Sequence, residues 1–260
     1  MAYRHLLVER DGGIGRIVIN RPEVRNALNQ AACAELVRAF AELSADPEVR
    51  VILLRGAGRE AFCAGADLKE LTGREGVLER RGYFSGVADV LRQMARTEPP
   101  IVAMVHGYAL AGGCGLAAAC DLVYAADDAV FGVPELHVGL FPMVVMAPIL
   151  RSVGRKRGLE LFFRGHRISG REALELGLVT RVFPADRLED ETEAVLAGIA
   201  RFSPALLRLG RQAFQRSDGL SYLQALDYLQ EMIAVAAMTE DAREGTTAFV
   251  ERRQPHWRGR

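Results

Sequence analysis

Hydrophobic and polar residues alternate along the start of the chain and then give way to longer apolar runs. Leu6 to Glu9 and Gly15 to Asn20 (GRIVIN) alternate as strands do, and Asp11-Gly12-Gly13 between them predicts a hairpin turn. Asn20-Arg21-Pro22 ends that hairpin. Asn29 to Leu43 then takes up helical spacing, with Leu36, Val37 and Phe40 on one face. Val49 to Gly56 (VRVILLRG) and Ile101 to His106 (IVAMVH) are continuous apolar runs bounded by turn residues, the pattern of strands covered on both faces. Asp121 to Ala125 (DLVYA) and Ala129 to Val133 (AVFGV) predict two more strands. Helical stretches at Gly76 to Thr97 and Gly112 to Cys120 lie between these runs, so the order reads as repeated β-β-α units. Such repeats favour a layered α/β spiral over a doubly wound sheet. No G-x-G-x-x-G follows the first strand, which counts against a dinucleotide fold.

From about residue 145 the pattern is mostly helical. Ile149 to Arg164, Ser169 to Leu176 and Ala185 to Phe202 mix apolar and charged positions. Ser203-Pro204 starts a further helix, because proline is tolerated in a first turn. Leu220 to Met238 spreads Leu223, Leu226, Leu229, Ile233, Val235 and Met238 over more than one face. That much apolar surface has to be covered, either by this chain's own core or by a partner subunit.

Composition narrows the function classes. The chain has 260 residues, 50% of them hydrophobic, enough for one large domain or a domain with a helical appendage. Lys plus Arg and Asp plus Glu are 33 each, and zero net charge gives no electrostatic warrant for a nucleic-acid partner. Arg252, Arg253, Arg258 and Arg260 read as a solvated basic tail. The four cysteines form no C-x-x-C pair, the N-terminal residues lack an apolar leader, and no apolar run reaches membrane-spanning length. A cytoplasmic, disulfide-free protein is therefore expected, with no membrane partner. No His/Asp/Glu spacing points to a metal.

Two small-residue segments and one acid carry the candidate chemistry. Ala61 to Lys69 (AFCAGADLK) follows a buried strand, and Ala64, Gly65 and Ala66 in succession let backbone N–H groups approach a ligand. Ala111-Gly112-Gly113 opens a helix and offers a second donor. Two amides aimed at one thioester oxygen stabilise an enolate, each donor contributing roughly 3 kcal/mol in analogous sites. Glu135, after Pro134, is the lone carboxylate nearby. Burial among Val138, Leu140, Phe141 and Met143 is expected to raise its pKa towards the range useful for general acid–base work. His137 two positions on would share a face with Glu135 on a strand, either orienting substrate or serving a structural role. Cys63 and Cys114 read as small packing residues, His106 as satisfied by backbone, and Asp121 as structural.

Four segments, Asn20 to Leu28 (NRPEVRNAL), Ala61 to Leu68 (AFCAGADL), Gly107 to Asp121 (GYALAGGCGLAAACD) and Phe131 to Gly139 (FGVPELHVG), resemble the signature segments of the crotonase superfamily in order and spacing. Gly165 to Val182 and Glu244 to Arg252 extend the resemblance over nearly the whole chain. The resemblance implies an α/β fold: a crotonase-like spiral of β-β-α repeats over residues 1–200, with a C-terminal α-helical trimerisation region over 201–260. It implies homotrimers or dimers of trimers acting on acyl-CoA thioesters, with no separate cofactor because coenzyme A belongs to the substrate. By position, the oxyanion-hole amides fall on Ala66 and Gly112, and the acid/base on Glu135. The acyl-CoA contacts fall on Arg25, Ala64, Ala66, Asp67, Leu68, Lys69, Gly112 and Gly115, with Phe249 and Arg252 reaching a neighbouring subunit's coenzyme A.

The chain departs from the hydratase pattern at one acid. Typical hydratases carry a first glutamate where Gly115 stands, and a glycine-rich stretch where Phe141-Pro142-Met143-Val144-Val145-Met146 stands. Overall resemblance implies hydration of a 2-enoyl-CoA. Hydration is therefore the leading expectation, and the missing acid adds two alternatives, double-bond isomerisation by a single glutamate and a non-catalytic acyl-CoA-binding subunit.

Overall fold

A computed structural model describes residues 2–72 and 75–260. Strands β1 (Leu6–Asp11) and β2 (Ile14–Ile19) form an antiparallel hairpin, and the turn between them places Gly12 at φ 57° and Gly13 at φ 83°. Two consecutive positive φ values are what a tight hairpin with right-handed strand twist requires, and glycine supplies them without strain. Helix α1 (Gln30–Ala45) follows, its N-terminus capped by the Asn29 side chain accepting from the Ala32 amide. Leu36, Phe40 and Leu43 form its buried face.

The β-β-α repeat then builds two sheets at once. β3 (Val51–Gly56), β5 (Ile101–Val105) and β7 (Leu122–Ala126) stack in parallel in a six-stranded sheet of order β1-β2-β3-β5-β7-β10, whose last member is β10 (Arg181–Phe183). The second strand of each repeat, β4 (Ala61–Cys63), β6 (Tyr108–Leu110) and β8 (Val130–Gly132), turns away into a four-stranded sheet closed by antiparallel β9 (Arg167–Ser169). Each repeat therefore contributes one strand to each sheet, which is the spiral the repeat order predicts. β5 is buried at every position because both of its faces are covered, explaining its unbroken apolar run. Helices α2 (Val77–Arg96) and α3 (Gly112–Ala118) follow the first two of these repeats.

The remainder is mostly helical: α4 (Met143–Ser152), α5 (Arg155–Arg164), α6 (Gly170–Glu175), α7 (Leu188–Ile199), α8 (Pro204–Ser217), α9 (Tyr222–Ala237) and α10 (Glu240–Glu251). The single helix expected from Ile149 to Arg164 is two, because the backbone turns extended at Val153 and Gly154. Pro204 starts α8 as expected, with the Ser203 side chain as its cap. No residue of α9 is buried, and Leu223, Ile233 and Met238 are 70%, 67% and 80% exposed. Of the two ways to cover that face, this chain's own core is not the one used.

The C-terminal arginines are solvated as charge patterning predicts, but the backbone of the tail is tied down. The backbone amides of Arg258 and Gly259 donate to the fully buried Asp241 carboxylate at 2.6 and 3.0 Å, and the Trp257 indole donates to the Arg201 carbonyl at 2.6 Å. A buried carboxylate inside α10 and a backbone carbonyl before α8 thus strap the tail down. No helix among the described residues is long and apolar enough to cross a membrane.

Candidate active site

The two small-residue segments meet at backbone distance. Gly113 has no side chain because a Cβ there would lie 2.0 Å from the Cys63 carbonyl oxygen, so the first turn of α3 presses onto the end of β4. Gly65, at φ 98°, turns the chain beneath Ala111 and Gly112; a Cβ on Gly65 would lie 2.7 Å from the Ala111 Cβ and 3.0 Å from the Gly112 nitrogen. Ala111 itself takes φ 50°, a left-handed value that is costly for a residue with a side chain. Among the described residues neither the Ala66 nor the Gly112 N–H donates to a carbonyl of the surrounding loops, whereas their neighbours do bond: Ala64 to Arg25, Asp67 to Leu28, Ala111 to Gly132. Two unengaged amides thus come from adjacent segments.

The loop carrying Ala66 is held by buried polar contacts. Asn26, fully buried and left-handed at φ 56°, accepts from the Arg21 amide and donates to the Ala57 and Ala61 carbonyls. Arg21 reaches the Asp67 carboxylate at 3.1 Å and also donates to the Ala27 carbonyl. The Tyr83 hydroxyl donates to the Asp67 carbonyl at 2.9 Å. Asp67, expected to contact acyl-CoA, is therefore occupied as a cap and an ion-pair partner. Arg21, Asn26 and Tyr83 are positioning residues that motif matching passed over. Their signal, in Arg21 and Asn26, lay inside the Asn20 to Leu28 segment itself.

The other expected contacts divide into two groups. Leu68 and Lys69 are exposed on the same loop, and Arg25 is exposed beside it, paired with Glu60 at 2.9 Å and stacked 5.9 Å from the Tyr108 ring centroid. Phe249 and Arg252 lie on α10 and at its C-cap; α10 packs on α8 and α9, and Phe249 is 85% exposed. Within one chain these two residues are not brought to the loop.

Glu135 sits on a 3-10 turn, Pro134–Val138, close enough to Cys114 of α3 for its charge to act on that thiol. One carboxylate oxygen, Oε2, is shielded from solvent and accepts no hydrogen bond from the described residues. Burial raises the Glu135 pKa above its ordinary value, only partly offset by a backbone amide bond. The expected apolar collar is incomplete, since Val138 and Met143 are 55% and 66% exposed. The 3-10 geometry also corrects the reading of His137: a strand would put it beside Glu135, but on this turn its Nε2 meets the Gly165 carbonyl at 3.2 Å. His106 likewise differs from expectation, because its buried Nε2 has no partner. Asp121 is structural as read, binding the Ile101 amide and the buried Arg211 guanidinium. Burial pushes the Cys63 and Cys114 thiols up to about 12, which leaves them as protonated packing groups. Among the described residues no group of three or more His, Cys, Asp or Glu side chains could hold a metal ion.

Gly115 lies on α3 directly under Val145 of α4, both buried. The place of the absent first acid is thus filled by an apolar side chain from the segment that departs from the glycine-rich pattern.

This geometry agrees with what comparison finds. The family model described as enoyl-CoA hydratase/isomerase matches residues 9–260. A probable enoyl-CoA hydratase of Mycobacterium bovis is 36% identical over 258 residues, covering 99% of both chains. One from Rhizobium meliloti is 36% identical over 261 residues, covering 100% of both. Among solved structures, an enoyl-CoA hydratase of Mycobacterium smegmatis superposes with TM-score 0.94 at 37% identity, covering 98% of this chain and 99% of that one. Human enoyl Coenzyme A hydratase domain-containing protein 3 does so with TM-score 0.94 at 32% identity, covering 98% and 100%. The spiral fold, the abutting amides and these matches together make the chain an enzyme of the enoyl-CoA hydratase/isomerase family, within the crotonase superfamily.

Proposed function

We propose that this enzyme moves a proton along an enoyl-CoA thioester, shifting a double bond between the 3,4 and 2,3 positions, with Glu135 as its one acid/base. The observation that carries the reading is a single half-buried carboxylate with a shielded, unpartnered oxygen, in a site where Val145 covers Gly115. The Glu135 carboxylate takes a proton from Cα of a 3-enoyl thioester. The Cα–H electrons pass to the thioester carbonyl, and the resulting dienolate oxygen accepts hydrogen bonds from the Ala66 and Gly112 amides. The protonated Glu135 then returns the same proton to Cγ, and the electrons settle in the 2,3 double bond. No water is consumed and no second acid is required.

Coenzyme A enters as part of the substrate, with Arg25, Ala64, Leu68 and Lys69 the residues of this chain proposed to line its path. The exposed face of α9 and the exposed Phe249 support assembly with other copies, as trimers or dimers of trimers, which would bring Phe249 and Arg252 to a neighbour's coenzyme A.

Hydration of a 2-enoyl-CoA is the second reading, favoured by the names of the 36%-identical relatives. Side-by-side rates on a 3-enoyl-CoA and on crotonyl-CoA separate the two. Faster isomerisation than hydration is expected. Hydration outpacing isomerisation would reverse the assignment, and tight thioester binding without turnover of either substrate would refute both.

A further inference from the structure

Glycine is the poorest helix former after proline, yet Gly115 sits in the middle of α3. Its backbone does not ask for glycine, since it is absent from the residues with positive φ. A neighbour does. A Cβ built on Gly115 would stand 2.3 Å from Val145 Cγ1, 2.7 Å from its Cβ and 3.4 Å from its Cα. The first two approaches are closer than atoms tolerate, and the third is ordinary contact. Val145 has little room to yield, being 4% exposed and β-branched on a helix, where one χ1 rotamer dominates.

We infer that positions 115 and 145 share one volume, and that Val145 is the specificity-determining residue that confines the site to a single carboxylate. Any side chain at 115, from alanine to glutamate, must evict Val145. A second acid therefore cannot be gained by one substitution: glutamate at 115 needs a residue at 145 with no Cβ. This rests on the one-acid reading proposed above, and it names the residue that enforces it.

A thermal double-mutant cycle tests the shared volume independently of any activity. Gly115→Ala alone is expected to lower Tm, by on the order of 5 °C, because overpacking strains a filled core. In the Val145→Gly background the same change is expected to leave Tm unchanged or raise it, as alanine is the better helix former. Val145→Ala, which keeps a Cβ 2.7 Å from the new one, should rescue only in part. Equal losses from Gly115→Ala in all three backgrounds would overturn the shared volume.

Product ratios test the consequence. Gly115→Glu alone is expected to gain no crotonyl-CoA hydration. Gly115→Glu with Val145→Gly is expected to raise the hydration-to-isomerisation ratio at least tenfold over wild type. Coupling in the thermal cycle with no change in that ratio would overturn Val145 as the determinant of chemistry. The wild-type rates alone decide the one-acid reading, so the two failures are distinguishable.

Discussion

At the scale of single residues, the proposed chemistry depends on an acid whose environment disfavours its charge. Burial raises the Glu135 pKa, so the basic form accumulates later on the pH axis than for an exposed glutamate. The isomerisation rate should therefore rise with pH through a midpoint above the ordinary carboxylate range; a midpoint at the ordinary value would contradict the burial. The same shift has a stability consequence of definite sign. A carboxyl with a raised folded-state pKa binds more protons folded than unfolded, so its contribution is fully present below the unfolded pKa and is lost as pH rises through the folded one. Glu135→Gln, which cannot ionise, should make the fold more stable than wild type at neutral pH. That advantage should shrink as pH falls towards the ordinary glutamate pKa, as read by thermal unfolding across pH. Glu135 was legible in the sequence because the Pro134-Glu135 pair lies within a recognisable segment. The filling of the Gly115 space by Val145 was not, because Val145 lies thirty positions further along the chain, and only packing says which valine arrives over α3.

Elements set the amide geometry. The loop from Ala64 to Lys69 has little regular structure beyond a bridge from Ala66 to Leu28 and a 3-10 turn at Leu68–Glu70, so its position depends on a few backbone bonds to Arg25 and Leu28 and on side chains fastened to it from elsewhere. The Arg21–Asp67 pair, with side chains 11% and 13% exposed, is the principal fastening. Removing one partner leaves the other charge largely buried, so Arg21→Ala should cost about 3 kcal/mol in urea unfolding. It should also raise KM for the thioester, because the Ala66 amide loses part of its support; unchanged stability and KM would mean that Asn26, Tyr83 and the backbone bonds to Arg25 and Leu28 hold the loop without Arg21. Each apolar run became a strand and the periodic runs became helices, the one from Ile149 to Arg164 dividing in two, whereas the short strands β4, β6, β9 and β10 carry too few residues to show a pattern. Where local reading failed, the cause was an interaction at long range or an unexpected geometry. On a strand His137 would lie beside Glu135, but proline starts a 3-10 turn there; the basic tail keeps its arginine side chains in solvent while buried Asp241 anchors its backbone.

For the whole molecule, the repeat order was enough to anticipate a layered spiral of β-β-α units, but not that the strands of each repeat divide between two sheets. The apolar pattern of α9 left its cover undecided, because a buried helix and an interface helix have the same composition. The exposed row Leu223, Leu226, Ile233 and Met238 now favours a partner. Leu226→Glu with Ile233→Glu should reduce the mass in sedimentation equilibrium to that of one chain, while a mass unchanged from wild type would place the assembly surface elsewhere. Loss of assembly should also weaken thioester binding if Phe249 and Arg252 serve a neighbouring subunit.

The most direct test is kcat/KM of Glu135→Gln on a 3-enoyl-CoA, measured beside wild type on protein shown to be folded by its thermal transition. A loss of roughly 10²–10⁴-fold is expected for removal of a single general base with binding intact. Activity comparable to wild type would contradict the assignment of Glu135 as the proton carrier.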